Sequence, residues 1–210
     1  MNIGVLVSGN GSNLQALIDA CQSGFVPGKI VCVLSDKASA YALTRAREAG
    51  IAAESLRPRD YADRLAFDRA VDARLRDYGV EGVCLAGYMR LLSPEFVAGW
   101  SDRMLNIHPS LLPSFKGLDA VGQALAAGVK VSGCTVHIVR AEMDSGPIVV
   151  QEAVPVQEDD TPETLAARIH AAEHRCYPLA LKALVEGRVV ARGGRAHLAS
   201  PPHLNTPKLY

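Results

Sequence analysis

Asn2–Ser8 (NIGVLVS) is an apolar run that passes without a spacer into the turn Gly9-Asn-Gly-Ser-Asn13. Leu14, Leu17 and Ile18 then take up helical spacing as far as Ser23. A strand delivered into a helix by so short a turn is the opening of a βα unit, and the unit repeats. Lys29–Ser35 reads as a second strand before an Ala-rich helix at Tyr41–Ala49. Ile51–Leu56 is a short strand before a long polar-faced helix, Asp60–Tyr78. Val80–Ala86 is again an apolar strand, closed by Gly87. Ser93-Pro-Glu opens a short helix with a cap and an N1 proline, held down by Trp100. This alternation commits the first hundred residues to a parallel sheet covered on both faces.

The grammar then changes. Met104–His108 is the central strand and Leu118–Ala127 a helix. Val131–Val139 and Ile148–Val156 are strands joined only by Arg140–Pro147, a link short enough to make them antiparallel. Asp160-Thr-Pro-Glu163 starts a long helix that runs to Glu186 and is closed by Gly187. Arg188–Arg192 reads as an edge strand, and the Pro-containing remainder to Tyr210 as a loose tail. The expectation is one domain over 1–210: a parallel half (1–100), a second half carrying the chemistry (101–187) and a C-terminal tail (188–210).

Composition excludes several classes. Lys+Arg and Asp+Glu both number 22, so there is no basic excess of the nucleic-acid-binding kind. Charged or polar residues interrupt every apolar run before membrane-spanning length. The N-terminus lacks a basic stretch and reads as a core strand, not a signal peptide. The five scattered cysteines (Cys21, Cys32, Cys84, Cys134, Cys176) read as reduced core thiols in a cytoplasmic protein. Cys134 and His137 form a C-x-x-H, but three residues apart on a strand they face opposite sides.

Chemistry concentrates at Met104-Leu-Asn-Ile-His-Pro-Ser-Leu-Leu-Pro113. Strand alternation puts Asn106 and His108 on one face, about 7 Å apart, at the strand end where α/β sheets bind ligands. A neutral amide donor beside a titratable imidazole suits a reaction passing through an oxyanion; a strand end that merely caps its turn is the plainer reading. Leu112-Pro113 is a candidate cis peptide.

Gly9-x-Gly11-Ser-Asn13 sits where free N–H groups and the helix dipole attract an anion. As a dinucleotide fingerprint it lacks the third glycine, replaced by Leu14, although Asp36 stands near the place of a ribose-binding acid. As a Walker loop it lacks the Lys. A phosphomonoester cradled by Gly11, Ser12 and Asn13 fits best, and a plain capped turn is the remaining reading. His170-Ala-Ala-Glu173-His174 resembles the H-x-x-E-H pattern of one zinc peptidase class. A third ligand would have to come from Glu186, His197 or His203, so a polar helix surface, or a face that helps bind a polar substrate, is preferred. In Glu142-Met-Asp144-Ser-Gly146-Pro147, Gly146 would allow a positive φ and Pro147 stiffens the exit. Asp144 is either an ordinary turn residue or the carboxylate partner of His108. Met89, Leu91 and Leu92, leaving the adjacent strand, either pack the core or floor a flat apolar pocket.

Taken together, Val5–Ala20 (VLVSGNGSNLQALIDA), Leu85–Phe96 (LAGYMRLLSPEF), Leu105–Gly117 (LNIHPSLLPSFKG), Asp144–Val156 (DSGPIVVQEAVPV) and Ala172–Pro178 (AEHRCYP) make the chain resemble the folate-dependent glycinamide ribonucleotide formyltransferases of purine synthesis. The Asn-x-His-Pro-Ser-Leu-Leu-Pro stretch marks the wider formyl-folate group, and the Ser8–Leu17 loop narrows it. The resemblance implies an α/β, Rossmann-like mixed sheet, parallel in its N-terminal half with a phosphate loop and antiparallel in its C-terminal half. It implies a formyltransferase acting by direct attack through a tetrahedral intermediate, with 10-formyltetrahydrofolate as co-substrate and no metal. Asn106, His108 and Asp144 would be catalytic. Gly11, Ser12, Asn13, His170 and Glu173 would bind the ribonucleotide. Arg64, Met89, Arg90, Leu91, Leu92, Arg140, Ala141, Glu142 and Met143 would contact the folate. Val121 and Asp119 depart from the family pattern around the site, and Asp36 stands where Asn is common. Partners are expected to be small molecules only, without nucleic acid or membrane, in a monomer or homodimer. The alternatives are a formyl-folate hydrolase using the same Asn, His and Asp, and a nicotinamide dehydrogenase.

Overall fold

A computed structural model of the chain describes residues 1–199. Its elements are β1 (Asn2–Val7), α1 (Ser12–Gln22), β2 (Lys29–Ser35), α2 (Tyr41–Glu48), β3 (Ala52–Ser55), α3 (Arg64–Asp77), β4 (Gly82–Leu85), α4 (Pro94–Gly99), β5 (Met104–His108), α5 (Ala120–Ala126), β6 (Val131–Ile138), β7 (Ile148–Pro155), α6 (Pro162–Val185), β8 (Val189–Arg192) and β9 (Arg195–Leu198). Seven strands form one sheet in the order β3-β2-β1-β4-β5-β6-β7. The pairs from β3 to β5 are parallel, and β5–β6 and β6–β7 are antiparallel. The strand order reverses between β1 and β4, where the C-terminal strand ends open a crevice.

Two apolar layers cover the sheet. Ile3, Val5, Val7, Leu105, Ile107, Cys134, Val136 and Ile138 face α1, α2 and α6. Leu6, Leu34, Val83 and Met104 face α3 and α4, with Phe67, Leu75, Phe96 and the fully buried Trp100. Alternation along β5 and β6 therefore turns Asn106, His108, Thr135 and His137 to the α3/α4 side. The buried Tyr177 hydroxyl lies 2.9 Å from the Leu85 carbonyl oxygen and 3.1 Å from that of Leu105, tying α6 under the ends of β4 and β5. Among the described residues, no helix is long and apolar enough to cross a membrane.

Four local expectations are corrected. The helix expected from Asp60 begins at Arg64, because Pro58–Asp60 forms a separate 3-10 turn and the Asp63 carboxylate caps the Ala66 N–H at 2.7 Å. The helix expected from Leu118 begins at Ala120, since Asp119 takes a left-handed conformation and accepts from the Gly122 N–H. The strand expected at a sheet edge instead pairs with β9 in a separate two-stranded sheet, turned by Gly193 and Gly194 at φ 55° and 75°. The loose tail is thus a hairpin as far as Leu198, and the rest of that expectation, with His203, lies outside the described residues. In the 140–147 turn the positive φ belongs to Asp144 (51°), not Gly146.

Candidate active site

The site grows from the β5–β6 pair. Asn106 lies opposite His137 and His108 opposite Thr135, so four polar side chains occupy one patch of an otherwise apolar sheet. Their hydrogen bonds fix both imidazole tautomers. His137 Nδ1 faces the Ile138 carbonyl at 3.1 Å and so carries a proton; its Nε2 then accepts from the Asn106 amide at 3.1 Å. That bond uses one of the two amide N–H groups of Asn106, which is only half buried. His108 Nε2 donates to the Phe115 carbonyl at 2.8 Å, leaving Nδ1 as the ring position free of the main chain. The 109–115 segment that supplies this carbonyl contains the cis Leu112–Pro113 bond. It is pinned to β6 by Thr135, whose hydroxyl donates to Ser110 O and accepts from Leu112 N–H.

Asp144 arrives from the β6–β7 turn. Its Oδ2 lies 3.5 Å from His108 Nδ1 and accepts from Gly117 N–H at 2.8 Å; its Oδ1 lies 3.7 Å from His137 Nε2. Gly146 makes this reach possible by close approach: a Cβ there would sit 1.6 Å from the Ile138 carbonyl oxygen. Burial pushes the Asp144 carboxyl up, but a His137 ring that has also gained its Nε2 proton, the Gly117 N–H and the charges of the protonated His108 and His137 outweigh it and hold the pKa below the ordinary value. At neutral pH the site therefore contains a carboxylate touching two imidazoles beside a free amide donor, which suits stabilising an oxyanion and moving a proton. A cleft of about 450 Å³, lined in part by Leu112, Lys116, Glu142, Asp144 and Arg195, borders this turn and brings the β8–β9 hairpin to it.

The Gly9–Asn13 turn leaves β1 and opens α1 at the crevice between β1 and β4. Gly11 is left-handed (φ 78°) and no side chain caps the helix, so its first N–H groups stay open to an anion. Asn13 Nδ2 donates to Glu173 Oε2 at 2.8 Å, and its own Oδ1 is buried without a partner. Glu173 is 3% exposed; burial raises its carboxyl pKa against the opposing effects of Asn13 and the His170 charge. The anion turn and α6 thus meet through Asn13 and Glu173, while His170 lies exposed on the same helix. Glu173 points to Asn13, and among the described residues no group of three or more His, Cys, Asp or Glu is arranged to hold a metal.

The remaining candidates lie on the loop after β4, on the first turn of α3 and in the β6–β7 turn. Met89 and Leu91 are 63% and 62% exposed, and Leu92 packs into the α3/α4 layer. The Met89 N–H is anchored by the Ser8 hydroxyl at 3.0 Å, joining this loop to β1. Arg90 lies over the Phe67 ring at 5.0 Å, and Arg64 is exposed on the first turn of α3. Arg140 is paired with Asp102, whereas Ala141, Glu142 and Met143 are exposed. Asp119 serves as a helix cap and Val121 packs against the α6 layer.

His137 is the residue missing from the sequence-derived set. The signal was there: Thr135 and His137 are polar at alternate places in an apolar strand, the same rhythm as Asn106 and His108. Cys134 does face the opposite, α6 layer.

Comparison with known proteins gives a consistent result. The formyl transferase family model matches residues 1–181. A phosphoribosylglycinamide formyltransferase from Escherichia coli is 46% identical over 189 residues, covering 90% of this chain and 89% of that protein. The bovine trifunctional purine biosynthetic protein adenosine-3 is 50% identical over 187 residues, but the chain spans only 18% of its length. Among solved structures, glycinamide ribonucleotide transformylase 1 from Symbiobacterium toebii superposes with a TM-score of 0.94 at 54% identity, covering 95% of this chain and 94% of that one. A formyltetrahydrofolate deformylase from Pseudomonas syringae shares the fold (TM-score 0.88) at 26% identity, over 66% of its chain.

Proposed function

The chain belongs to the formyl transferase family, and from that premise we propose that it moves the formyl group of 10-formyltetrahydrofolate to the amine of glycinamide ribonucleotide, a step of purine biosynthesis. The observation that carries this reading is the convergence of Asn106, His108 and His137 with Asp144, a carboxylate delivered by a distant turn. The open α1 N-terminus supports transfer over hydrolysis, because hydrolysis of a formyl-folate needs no phosphate cradle.

Side chains of the loop after β4, the start of α3 and the β6–β7 turn suit a folate. Met89 and Leu91 offer exposed apolar surface against a flat ring, main-chain groups of the anchored loop can read a heterocycle edge, and Arg64 and Arg90 suit its carboxylates. Leu92 supports this surface from the α3/α4 layer, and Arg140, Ala141, Glu142 and Met143 of the β6–β7 turn contact the same ligand. Bound 10-formyltetrahydrofolate supplies the electrophilic formyl carbon. Gly11, Ser12 and Asn13 hold the ribonucleotide phosphate, and Glu173 with His170 meets its sugar or glycinamide end, so remote binding orients the neutral amine. The second N–H of Asn106 and the protonated His108 Nδ1 stabilise negative charge on the formyl oxygen. Asp144 balances the imidazolium; His108 gives its Nδ1 proton, directly or through a water, to the departing nitrogen and then takes up the proton lost by the attacking amine. Residues 1–210 act as one domain in the cytoplasm, as a monomer or homodimer, on small molecules and without metal.

The test is spectrophotometric release of tetrahydrofolate from 10-formyltetrahydrofolate, with and without glycinamide ribonucleotide. Release that requires the ribonucleotide is expected. Equal release in its absence would make the protein a hydrolase, and none in either case would refute both.

A further inference from the structure

Arg45 lies on α2, outside every group of residues assigned above, yet it is bound to the anion turn at two points and to the first turn of α1 at a third. Its Nε donates to the Asn10 carbonyl at 3.0 Å, one terminal nitrogen to Asn10 Oδ1 at 3.0 Å, and the other to Gln15 Oε1 at 3.3 Å. The first two bonds grip both acceptors of a single residue, a planar fork that a guanidinium can make and an ammonium cannot. The third reaches the first turn of α1, so one side chain spans the junction from loop to helix. The fork is held in place by the Tyr41 ring, 4.9 Å from the guanidinium carbon.

Two backbone features show that α2 is fitted to this turn. The Ala42 N–H donates to the Gly9 carbonyl at 3.1 Å. A Cβ at Gly11 would lie 2.6 Å from the Ala42 Cβ and 2.8 Å from its Cα, so the turn is pressed against α2 closely enough to require glycine. The acceptors of Arg45 are all neutral, and among the described residues it forms no ion pair. Its charge also reaches the polar face of α6: burial first, then the charges of His170, Arg175 and Arg45, hold the His174 pKa below its ordinary value.

We infer that Arg45 is a positioning residue for the phosphate site, locking Asn10 so that the N–H groups of Gly11, Ser12 and Asn13 converge on a phosphomonoester while its positive charge backs the turn. The inference rests on the ribonucleotide reading above and deepens it. Arg45 touches the turn and not the substrate, so its loss acts through turn geometry.

The experiment compares wild type, Arg45→Met and Arg45→Lys in steady-state assays, with inorganic phosphate as a competitive probe against the ribonucleotide. Arg45→Met keeps the apolar stem over Tyr41 and removes all three donors. Its KM for the ribonucleotide should rise about tenfold to a hundredfold, as for loss of charge-assisted hydrogen bonds. The phosphate inhibition constant should rise in proportion, with kcat and the folate KM within about threefold of wild type. Arg45→Lys retains charge without the fork and should recover only a small part of the loss. Unchanged ribonucleotide KM in Arg45→Met would overturn the inference, as would equal losses in kcat and both KM values. A Lys variant at wild-type KM would reduce the role to charge and also overturn it. If Arg45→Met does not fold, Asn10→Ala removes one acceptor at an exposed position and should raise the ribonucleotide KM about threefold; no rise there would overturn the inference. Absence of ribonucleotide-dependent release by wild type would instead refute the underlying reading.

Discussion

Replacing Gly146 with Ala should disconnect the catalytic carboxylate without touching it. The new Cβ would start 1.6 Å from the Ile138 carbonyl oxygen, and Cβ atoms essentially never come within 3.0 Å of such a neighbour. The turn must therefore retreat from β6 by at least about 1.4 Å, and Asp144, two residues earlier in the same turn, moves with it. A matching movement of its Oδ2 would lengthen the 3.5 Å approach to His108 to about 5 Å. Misplacement of a reacting constellation by about 1 Å costs roughly a hundredfold, so kcat should fall about 10²-fold. Stability should fall by about 1–3 kcal/mol, since the Ile138 N–H bond to Pro147 O (2.9 Å) is strained by the same retreat. The assay is ribonucleotide-dependent folate release together with thermal melting. Ser145→Ala is the control: exposed, and bonded only to the Glu142 carbonyl, it should stay within about twofold of wild type. Turnover by Gly146→Ala within threefold of wild type would refute the argument that close approach at this glycine delivers Asp144.

Other expectations follow from the same geometry. Because the folded Asp144 pKa is depressed, its contribution to stability is present above the unfolded value of about 3.9 and is lost as pH falls through the folded one. Asp144→Asn should accordingly lower the melting temperature at pH 7, with the gap to wild type closing in acid; a pH-independent gap would count against the linkage. Glu173 has the opposite sign, its folded pKa being raised, so ionisation costs stability as pH rises above about 4.3. Glu173→Gln should melt higher than wild type at pH 7 and equally near pH 4, while Asn13 keeps an amide oxygen to bond. His137→Ala removes the acceptor that orients Asn106, and losing one hydrogen bond of about 1.4 kcal/mol should lower kcat about tenfold at unchanged ribonucleotide KM.

The parallel half of the sheet could be read from the sequence because strand and helix periods alternate there with capping residues between them; β2 runs over Lys29–Ser35 as the pattern indicates. Asn106 and His108 share a face because alternation along a single strand is a local property. The contribution of His137 is not local. It depends on the register that sets Asn106 against His137, and register between strands 31 residues apart is decided by packing of both faces. The β8–β9 hairpin had a local signal, the two-residue Gly193-Gly194 turn, hidden by short and only partly apolar strands. At the 140–147 turn, residue type suggested that glycine would take the left-handed conformation. The demand on Gly146 was instead steric, set by the Ile138 carbonyl from a neighbouring element, and Asp144 took the positive φ.

In the proposed transfer, the Asn106 amide stabilises the charge developing on the formyl oxygen. The most direct test of this role is the single-turnover rate of Asn106→Ala with both substrates saturating. A fall of about 10²–10³ with little change in ribonucleotide affinity is expected. A rate near that of wild type would contradict it.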